Sequence, residues 1–235
     1  MSVLRLFLVV VLTTIATAPS YCQFAKTSNG SSAFDSSGEV LPSYGRFTIG
    51  YDALFAGGDY AEALNDDDAI TASGITIKFI KGWALSKQNP VYFEAGLRLN
   101  ANFWSRHLKI DNYYDHSGSK TDTELSMKML SISVPLNVTY RFAVDKKVSF
   151  QPYTGFNLKV NALGKIKFLG EECNAFDKDD MGKDAKWERV QVGWQIGLGL
   201  NINIFYLGIE YGLDFKELSK ELDTSHLEVA IGANF

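Results

Sequence analysis

The chain has 235 residues, 46% of them hydrophobic, with 27 acidic and 23 basic side chains. Its length suits a single domain, and its slightly acidic balance offers nothing to nucleic acid, so we expect no nucleic-acid partner. Cys22 and Cys173 are the two cysteines, and removal of the first 22 residues would leave one, which excludes an intrachain disulfide in the mature chain.

The first 22 residues have the features of a secretory signal peptide. One basic residue, Arg5, precedes an apolar run over residues 6–12, and small residues follow. The run is too short to span a membrane. We predict cleavage after Cys22, because a cut after Ala18 would leave a proline next, which signal peptidase processes poorly. A lipid anchor on Cys22 is the alternative, although Tyr21 stands where a lipoprotein signal has a small residue.

Two further segments complete the predicted organisation of the chain. Residues 23–42 are rich in serine and glycine and are predicted to form a flexible periplasmic lead-in. Residues 43–235 are predicted to form one domain, because no linker interrupts them.

Within this domain, apolar and polar side chains alternate with period two, which is the pattern of a β-strand. The clearest case is 190–204, where bulky apolar residues occupy the even positions up to Ile204 and amides or glycines occupy the odd ones. Most segments have the roughly 9–11 residues that a tilted strand needs to cross a membrane. The eight predicted strands are 44–56, 70–81, 91–103, 130–142, 148–162, 190–204, 205–216 and 226–235.

An even number of such strands favours a closed barrel in a membrane over a soluble β-sandwich, which is the alternative. In lipid every backbone group needs a partner, and a closed barrel leaves no unpaired edge. We therefore predict an all-β fold, an eight-stranded antiparallel transmembrane β-barrel with short periplasmic turns and long extracellular loops, in the outer membrane of a Gram-negative cell. The predicted lipid-facing residues are Val192, Trp194, Ile196, Leu198, Leu200, Leu207, Ile209, Leu213, Val229 and Ile231.

The polar rows are predicted to line the inside of this barrel. An eight-stranded barrel is wide enough only for side chains, and buried charges must pair. We therefore expect a plugged, salt-bridged lumen without steady conductance. Its predicted members are Glu94, Arg98, Arg141, Lys159, Glu210, Asp214 and Glu228, with space provided by the glycines at 193, 197, 199, 208 and 212.

The connections and the last residue are consistent with this orientation. Long connections at 57–69, 105–123 and 163–189 alternate with shorter ones, as outside loops and periplasmic turns do. The chain stops on Phe235, in phase with the apolar row, and a terminal aromatic residue there is predicted to be the signal read by the barrel-insertion machinery.

Two irregular features have structural interpretations. The apolar row changes from odd to even positions near 129–130, which predicts a β-bulge at that point. Aromatic residues near strand ends are predicted to form girdles at the two membrane interfaces. They are Trp83, Phe103, Trp104, Tyr113, Tyr114, Trp187 and Phe235, although the adjacent Tyr113 and Tyr114 could instead contact a partner.

Short motifs in the second half resemble the PorT-like barrel family of bacteroidal outer membranes. Pro135, Leu136, Tyr140 and Phe142 fill a P-L-x-x-x-Y-x-F pattern, Pro152, Tyr153 and Gly155 fill a P-Y-x-G pattern, and a glycine-rich alternating hairpin follows at 192–218. The resemblance covers roughly residues 43–235. It implies the barrel fold and, through the best-known member, a role in secretion by the type IX system.

Catalytic and metal-binding sites are not predicted. His107 and His116 fall in a polar loop and His226 opens the last strand, with no fixed spacing to a serine and a carboxylate. Acidic runs at 65–69 and 171–180 could hold a hard cation, but they lack EF-hand spacing and fit solvated loops better. No cofactor is expected.

Two functional hypotheses of different kinds remain. One is an accessory component of protein secretion or envelope biogenesis, with type IX-like secretion components as partners. The other is a free-standing surface barrel whose extracellular loops mediate adhesion or bind host molecules or ligands. Either protein would contact outer-membrane lipid and lipopolysaccharide.

Overall fold

The computed structural model describes residues 40–58, 70–111, 120–145, 147–182, 185–220 and 222–235. The predicted signal peptide at 1–22 and most of the predicted lead-in at 23–42 lie outside these residues, as do Tyr113, Tyr114, His116 and the acidic run at 65–69.

The described residues form ten strands and one short helix. No helix among them is both long enough and apolar enough to cross a bilayer. The strands are β1 (Ser43–Gly57), β2 (Ile70–Ala84), β3 (Val91–Asp111), β4 (Lys120–Tyr140), β5 (Phe142–Asp145), β6 (Val148–Phe168), β7 (Glu171–Asn174), β8 (Val190–Ile202), β9 (Phe205–Asp214) and β10 (Asp223–Asn234), and the helix is α1 (Lys178–Met181).

Eight of these strands close into an antiparallel barrel, as the alternation predicts. Neighbouring strands pair in the order β1, β2, β3, β4, β6, β8, β9, β10, and β10 returns to β1 along a ladder that includes Ile49 opposite Ile231. β5 continues the line of β4 beyond Arg141 and pairs with β6, while β7 pairs with the far end of β6. The eight-stranded fold is confirmed.

Short connections lie at one end of the barrel, here called the turn end, and long ones at the other, the loop end. The turn end holds the chain between β2 and β3, the β5–β6 connection and a two-residue β8–β9 turn, together with Phe235. In that turn Asn203 has a positive φ of 54°, which asparagine tolerates well. The alternation of short and long connections agrees with the predicted one.

Two predicted loops are largely ordered, which corrects the sequence interpretation. β3 continues to Asp111 and β4 begins at Lys120, so most of the predicted loop 105–123 is a strand hairpin. The predicted loop 163–189 contains the end of β6, β7 and α1. These extensions escape a search for alternation because no apolar row marks them in the sequence.

The irregularity predicted near 129–130 is present in the β4–β6 ladder, between Leu130 and Ser131, but the bulge is not in β4 itself, which pairs with β3 without a shift there. The irregularity lies in β6, where Leu130 opposes Leu163 and Ser131 opposes Asn161, so that Ala162 is the extra residue. The odd residues of β4 face the interior from Leu125 to Thr139. Their chemistry changes from methionine to serine because the interior itself changes from apolar to polar.

The apolar part of the interior fills the loop end and is here called the apolar cap. Its buried members are Leu54, Ala56, Ile70, Ala72, Met127, Met129, Ala175, Trp187, Leu218 and Leu222, and Trp104 and Phe176 pack against them. Backbone hydrogen bonds tie the loops into this cap, from Trp187 N to Ala175 O at 2.7 Å and from Glu188 N to Leu218 O at 2.6 Å. Trp104 and Trp187 therefore belong to the interior, and their predicted place in an interfacial girdle is wrong.

Candidate functional site

The barrel interior carries a dense set of charges between the turn end and the apolar cap. It contains all seven residues of the predicted lumen network, together with Arg46, Lys78 and Asp52. Among the described residues this gives five basic side chains, Arg46, Lys78, Arg98, Arg141 and Lys159, and five acidic ones, Asp52, Glu94, Glu210, Asp214 and Glu228. The interior therefore carries no net charge when His226 is neutral.

Glu94 is the centre of the group nearest the turn end, here called the inner cluster. Arg46 Nη2 donates to Glu94 Oε1 at 2.8 Å, and the Tyr44 hydroxyl and Gln151 Nε2 donate to the same oxygen at 2.5 and 2.9 Å. The Arg141 guanidinium lies over the Tyr44 ring, 4.6 Å from its centroid. Several donors thus converge on one carboxylate, which offsets the cost of removing it from water.

The central cluster joins two basic residues to two acidic ones across the interior. Lys78 and Arg98 are directly opposite each other on β2 and β3, and Glu210 and Glu228 are directly opposite each other on β9 and β10. Each like-charged pair would be destabilising alone. Lys78 Nζ lies 2.6 Å from Glu228 Oε1, and Arg98 Nη2 lies 3.0 Å from Glu228 Oε2 and forms an ion pair with Glu210.

His226 is part of this central cluster and not of the rim where the sequence interpretation put it. It is buried, and Arg98 Nη1 donates to its Nε2 at 3.2 Å. Arginine can only donate, so this contact requires a neutral imidazole with its proton on Nδ1. The Nε2 lone pair that a general base would use is therefore occupied.

The outer cluster lies between the central charges and the apolar cap. Lys159 forms an ion pair with Asp214, whose Oδ2 also accepts from the Thr224 hydroxyl at 2.6 Å. Asn102 donates to Asp52 Oδ2 at 2.7 Å. This completes three successive layers of charged and amide side chains along the barrel axis.

Glycines on β8 and β9 make room for the largest rings of the interior. A Cβ atom added to Gly197 would meet the Tyr153 ring, and one added to Gly199 or Gly208 would meet the Tyr206 ring. The Tyr153 hydroxyl donates to Glu210 Oε2 at 2.8 Å. The glycines of β8 and β9, here called the glycine wall, therefore also position a hydrogen-bond donor to the central cluster. This matches the predicted role of these glycines.

The free space left in the charged interior is small. The cavity among Asp52, Arg98, Asn157, Lys159 and His226 measures about 10 Å³, which is about the space one water molecule needs. The apolar cap covers this level on the loop-end side.

The outer wall of the barrel is apolar. Of the ten predicted lipid-facing residues, Trp194 and Leu200 are half-buried and the other eight are exposed on the outside. Ile231, for example, exposes 62% of its surface. An apolar surface that extends round the whole barrel suits lipid and would not remain soluble in water.

Aromatic side chains also lie on this outer wall near the turn end. Trp83 and Phe93 stack with ring centroids 6.3 Å apart, and the terminal Phe235 is exposed. Phe103 is exposed on the loop-end side. Trp83, Phe103 and Phe235 match the girdle prediction, and Phe93 joins them although it was not predicted.

Phe235 is held in the ladder although it is the last residue. Its N–H donates to Gly45 O at 2.9 Å, and Gly45 N donates to Phe235 O at 2.7 Å. Its ring lies against the Cα of Gly45, where a Cβ would collide with ring atoms. The structure thus pairs the terminal aromatic residue with β1, while its role as an insertion signal stays a prediction.

Within the described part of the chain, the other histidines and acidic residues form no recognisable reaction centre. His107 is exposed on β3, far along the chain from the buried His226. No group of three or more histidine, cysteine or acidic side chains among the described residues could hold a metal ion. The acidic run at 171–180 is spread over β7, α1 and the turn between them.

Three of the interior charges were missed by the sequence interpretation. Arg46 and Asp52 occupy even positions of β1, and Lys78 occupies an even position of β2. Their side chains lie on the inner face of these strands, whereas Ile49 and Ile77 lie on the outer face. The same alternation would have found them, but apolar residues at the loop end of these strands face inward too and obscure the two rows.

The family comparison decides the class of the protein. Residues 30–214 match the model of the outer membrane protein beta-barrel domain. The chain belongs to this family. The barrel is therefore a small outer-membrane protein, with the loop end facing outward and the turn end facing the periplasm. No curated protein matches the chain significantly.

Solved barrels of similar architecture share little sequence with this outer-membrane protein. Neisserial surface protein A is 13% identical with a TM-score of 0.45, covering 83% of this chain and 98% of its own. Ail of Yersinia pestis, solved with the heparin analogue sucrose octasulfate, is 12% identical with a TM-score of 0.42, covering 83% and 100%. The outer membrane enzyme PagL is 10% identical with a TM-score of 0.35, covering 79% and 98%. These likenesses carry no functional argument.

Proposed function

We propose that this protein is a non-enzymatic, non-conducting outer-membrane barrel that acts through contacts at its extracellular surface. The observation that carries the proposal is the filled interior. Five basic and five acidic side chains occupy the barrel together, and the apolar cap closes the loop end. A pore needs a continuous water path, and such a filling leaves none.

The extracellular side offers the larger ordered surface for such contacts. β3, β4 and β6 each have 21 residues, about twice what a strand needs to cross the membrane. The periplasmic turns are short by comparison. A free-standing surface barrel that binds a ligand or a neighbouring surface is the function that this distribution supports best.

A second candidate is an accessory role in protein secretion or envelope biogenesis. The PorT-like patterns around Pro135 and Pro152 support it, and so does the ordered start of the described chain. Val40 packs with Tyr44 and Tyr92, and Val40 N donates to Lys87 O at 3.3 Å. The preceding residues would therefore leave the barrel at its periplasmic mouth, where a secretion component could contact them.

Mild crosslinking in native outer membranes, followed by pull-down and mass spectrometry, distinguishes the two candidates. The surface-barrel proposal expects recovery of abundant porins and lipopolysaccharide only, and an unchanged secretome in a deletion strain. Recovery of secretion components in a fixed ratio would overturn it in favour of the accessory role. Loss of a lipid-modifying activity on His116→Ala would overturn the non-enzymatic part.

A further inference from the structure

Three lysines project outward from one side of the barrel, directly beyond its apolar band. Leu130 and Leu163 oppose each other on β4 and β6 as outward apolar residues. Two residues further towards the loop end, Lys128 opposes Lys165, and Lys167 follows. All three lysines are exposed. They therefore lie at the level where lipid tails give way to lipid headgroups.

A groove of about 310 Å³ lies beside these lysines. The groove has one apolar edge and one charged edge. Phe103 forms the apolar edge; it pairs with Lys128 across the β3–β4 ladder, and 52% of its surface is exposed on the outside of the barrel. The outward lining of the groove is Phe103, Ser105, Glu124, Ser126, Lys128 and Lys167.

The charges around the groove are only partly balanced by the protein itself. Lys165 forms an ion pair with Glu172 on the neighbouring β7. Among the described residues no carboxylate lies within ion-pair distance of Lys128 or Lys167, although the charges of both lower the pKa of the nearby Glu172. Because Lys128 and Lys165 are like charges directly opposite each other, an additional anion between the strands would relieve their repulsion.

Near the loop end, the described outward residues around β1 carry no comparable basic group. Around β1, the outward residues near the loop end are Phe55, Thr71 and Ser225, which pair with one another across the ladders and carry no charge. The positive charge beside the groove therefore distinguishes this position from the wall around β1 and would attract an anionic lipid headgroup there.

We propose that this groove binds the phosphate groups of lipid A in the outer leaflet. Lys128 and Lys167 contact the phosphates, the hydroxyl of the exposed Ser105 is available to a sugar oxygen, and Phe103 contacts the start of an acyl chain. Glu124 is the acidic side chain of the groove and opposes binding. The site requires only an outer-membrane barrel and is independent of the choice between the two functions above.

The test uses the full mature chain folded in phosphatidylethanolamine vesicles that contain bisphosphorylated lipid A or its dephosphorylated form. Binding is measured by native mass spectrometry of the released barrel and by the shift of its heat-induced unfolding temperature. We expect K128Q/K167Q to weaken binding of bisphosphorylated lipid A by roughly ten- to thirtyfold. Each lysine near an anionic surface strengthens binding by roughly three- to fivefold, and the variant loses two of them. We expect E124Q to strengthen binding.

The matched control is K216Q/K220Q, which removes two exposed lysines from the β9–β10 loop on another side of the barrel. It should bind as the unmodified protein does, and all variants should show the same heat-modifiable gel migration. Unchanged binding by K128Q/K167Q would overturn the proposal, as would equal affinity for the dephosphorylated lipid. Binding of a soluble sulfated glycan in place of lipid A would also overturn it and would assign the groove to a surface glycan.

Discussion

The central cluster and the apolar cap occupy the same barrel interior but are stabilised in opposite ways. In the central cluster, Lys78 and Arg98 on one wall face Glu210 and Glu228 on another, and stability depends on each charge keeping its partners. In the apolar cap, stability depends on area removed from water. The comparison shows that one set of alternating strands can enclose two kinds of core. Whether the inward side chains are charged or apolar depends on their position along the barrel axis.

The largest expected effect comes from breaking the central cluster. Glu228→Leu leaves Lys78 without its 2.6 Å partner and Arg98 without its 3.0 Å partner. Removal of one member of a buried ion pair costs about 3–5 kcal/mol, which urea unfolding in vesicles monitored by tryptophan fluorescence would measure.

The matched control for this variant is the double substitution Lys78→Met with Glu228→Leu. Because it removes both charges, it should recover most of the lost stability. A Glu228→Leu variant as stable as the unmodified barrel would contradict the dependence on pairing.

A smaller effect is expected when the cap is weakened. Leu218→Ala removes a buried side chain that exposes 1% of its surface, and such truncations cost roughly 2–5 kcal/mol. Because Leu218 holds the loop that contains Trp187, hydrogen exchange should rise around residues 185–189 while the amides of β9 stay protected. Equal loss of protection in the cap and in the barrel wall would show that the two cores are one cooperative unit.

Overpacking the glycine wall should cost less again. Gly197→Ala places a methyl group against the Tyr153 ring and 2.8 Å from Ile209 O, and forced repacking of this kind costs about 1–3 kcal/mol. Gly57→Ala is the control, since a Cβ there meets no atom within 4 Å. Thermal unfolding of the two variants gives the comparison, and equal midpoints would contradict the proposed role of Gly197.

The smallest effect is expected at the exposed ion pair of Lys165 and Glu172. The hydrogen bond from Lys165 holds the pKa of Glu172 below its ordinary value. A carboxylate with a lowered pKa in the folded state stabilises at neutral pH, and the contribution is lost as the pH falls through the folded pKa. Glu172→Gln should therefore unfold like the unmodified barrel once the pH lies below the folded pKa of Glu172, with a small difference at pH 7 that salt removes.

The sequence predicts the barrel and much of its interior because lipid outside and paired charges inside impose a period of two. This pattern is clear in β8 and β9, where glycines and amides mark one row and bulky apolar residues the other. It weakens in β1 and β4, where Leu54 and Met129 face inward into the cap and resemble outward residues. Trp187 could not be assigned from sequence, because its burial depends on a loop folding back onto the barrel mouth.

The most direct test of the filled interior is single-channel recording of the purified barrel in planar lipid bilayers. The account predicts no stable conductance, because three layers of charged and amide side chains cross the barrel below the apolar cap, and the cavity among Asp52, Lys159 and His226 has space for about one water molecule. Stable open channels in recordings of the unmodified protein would contradict it.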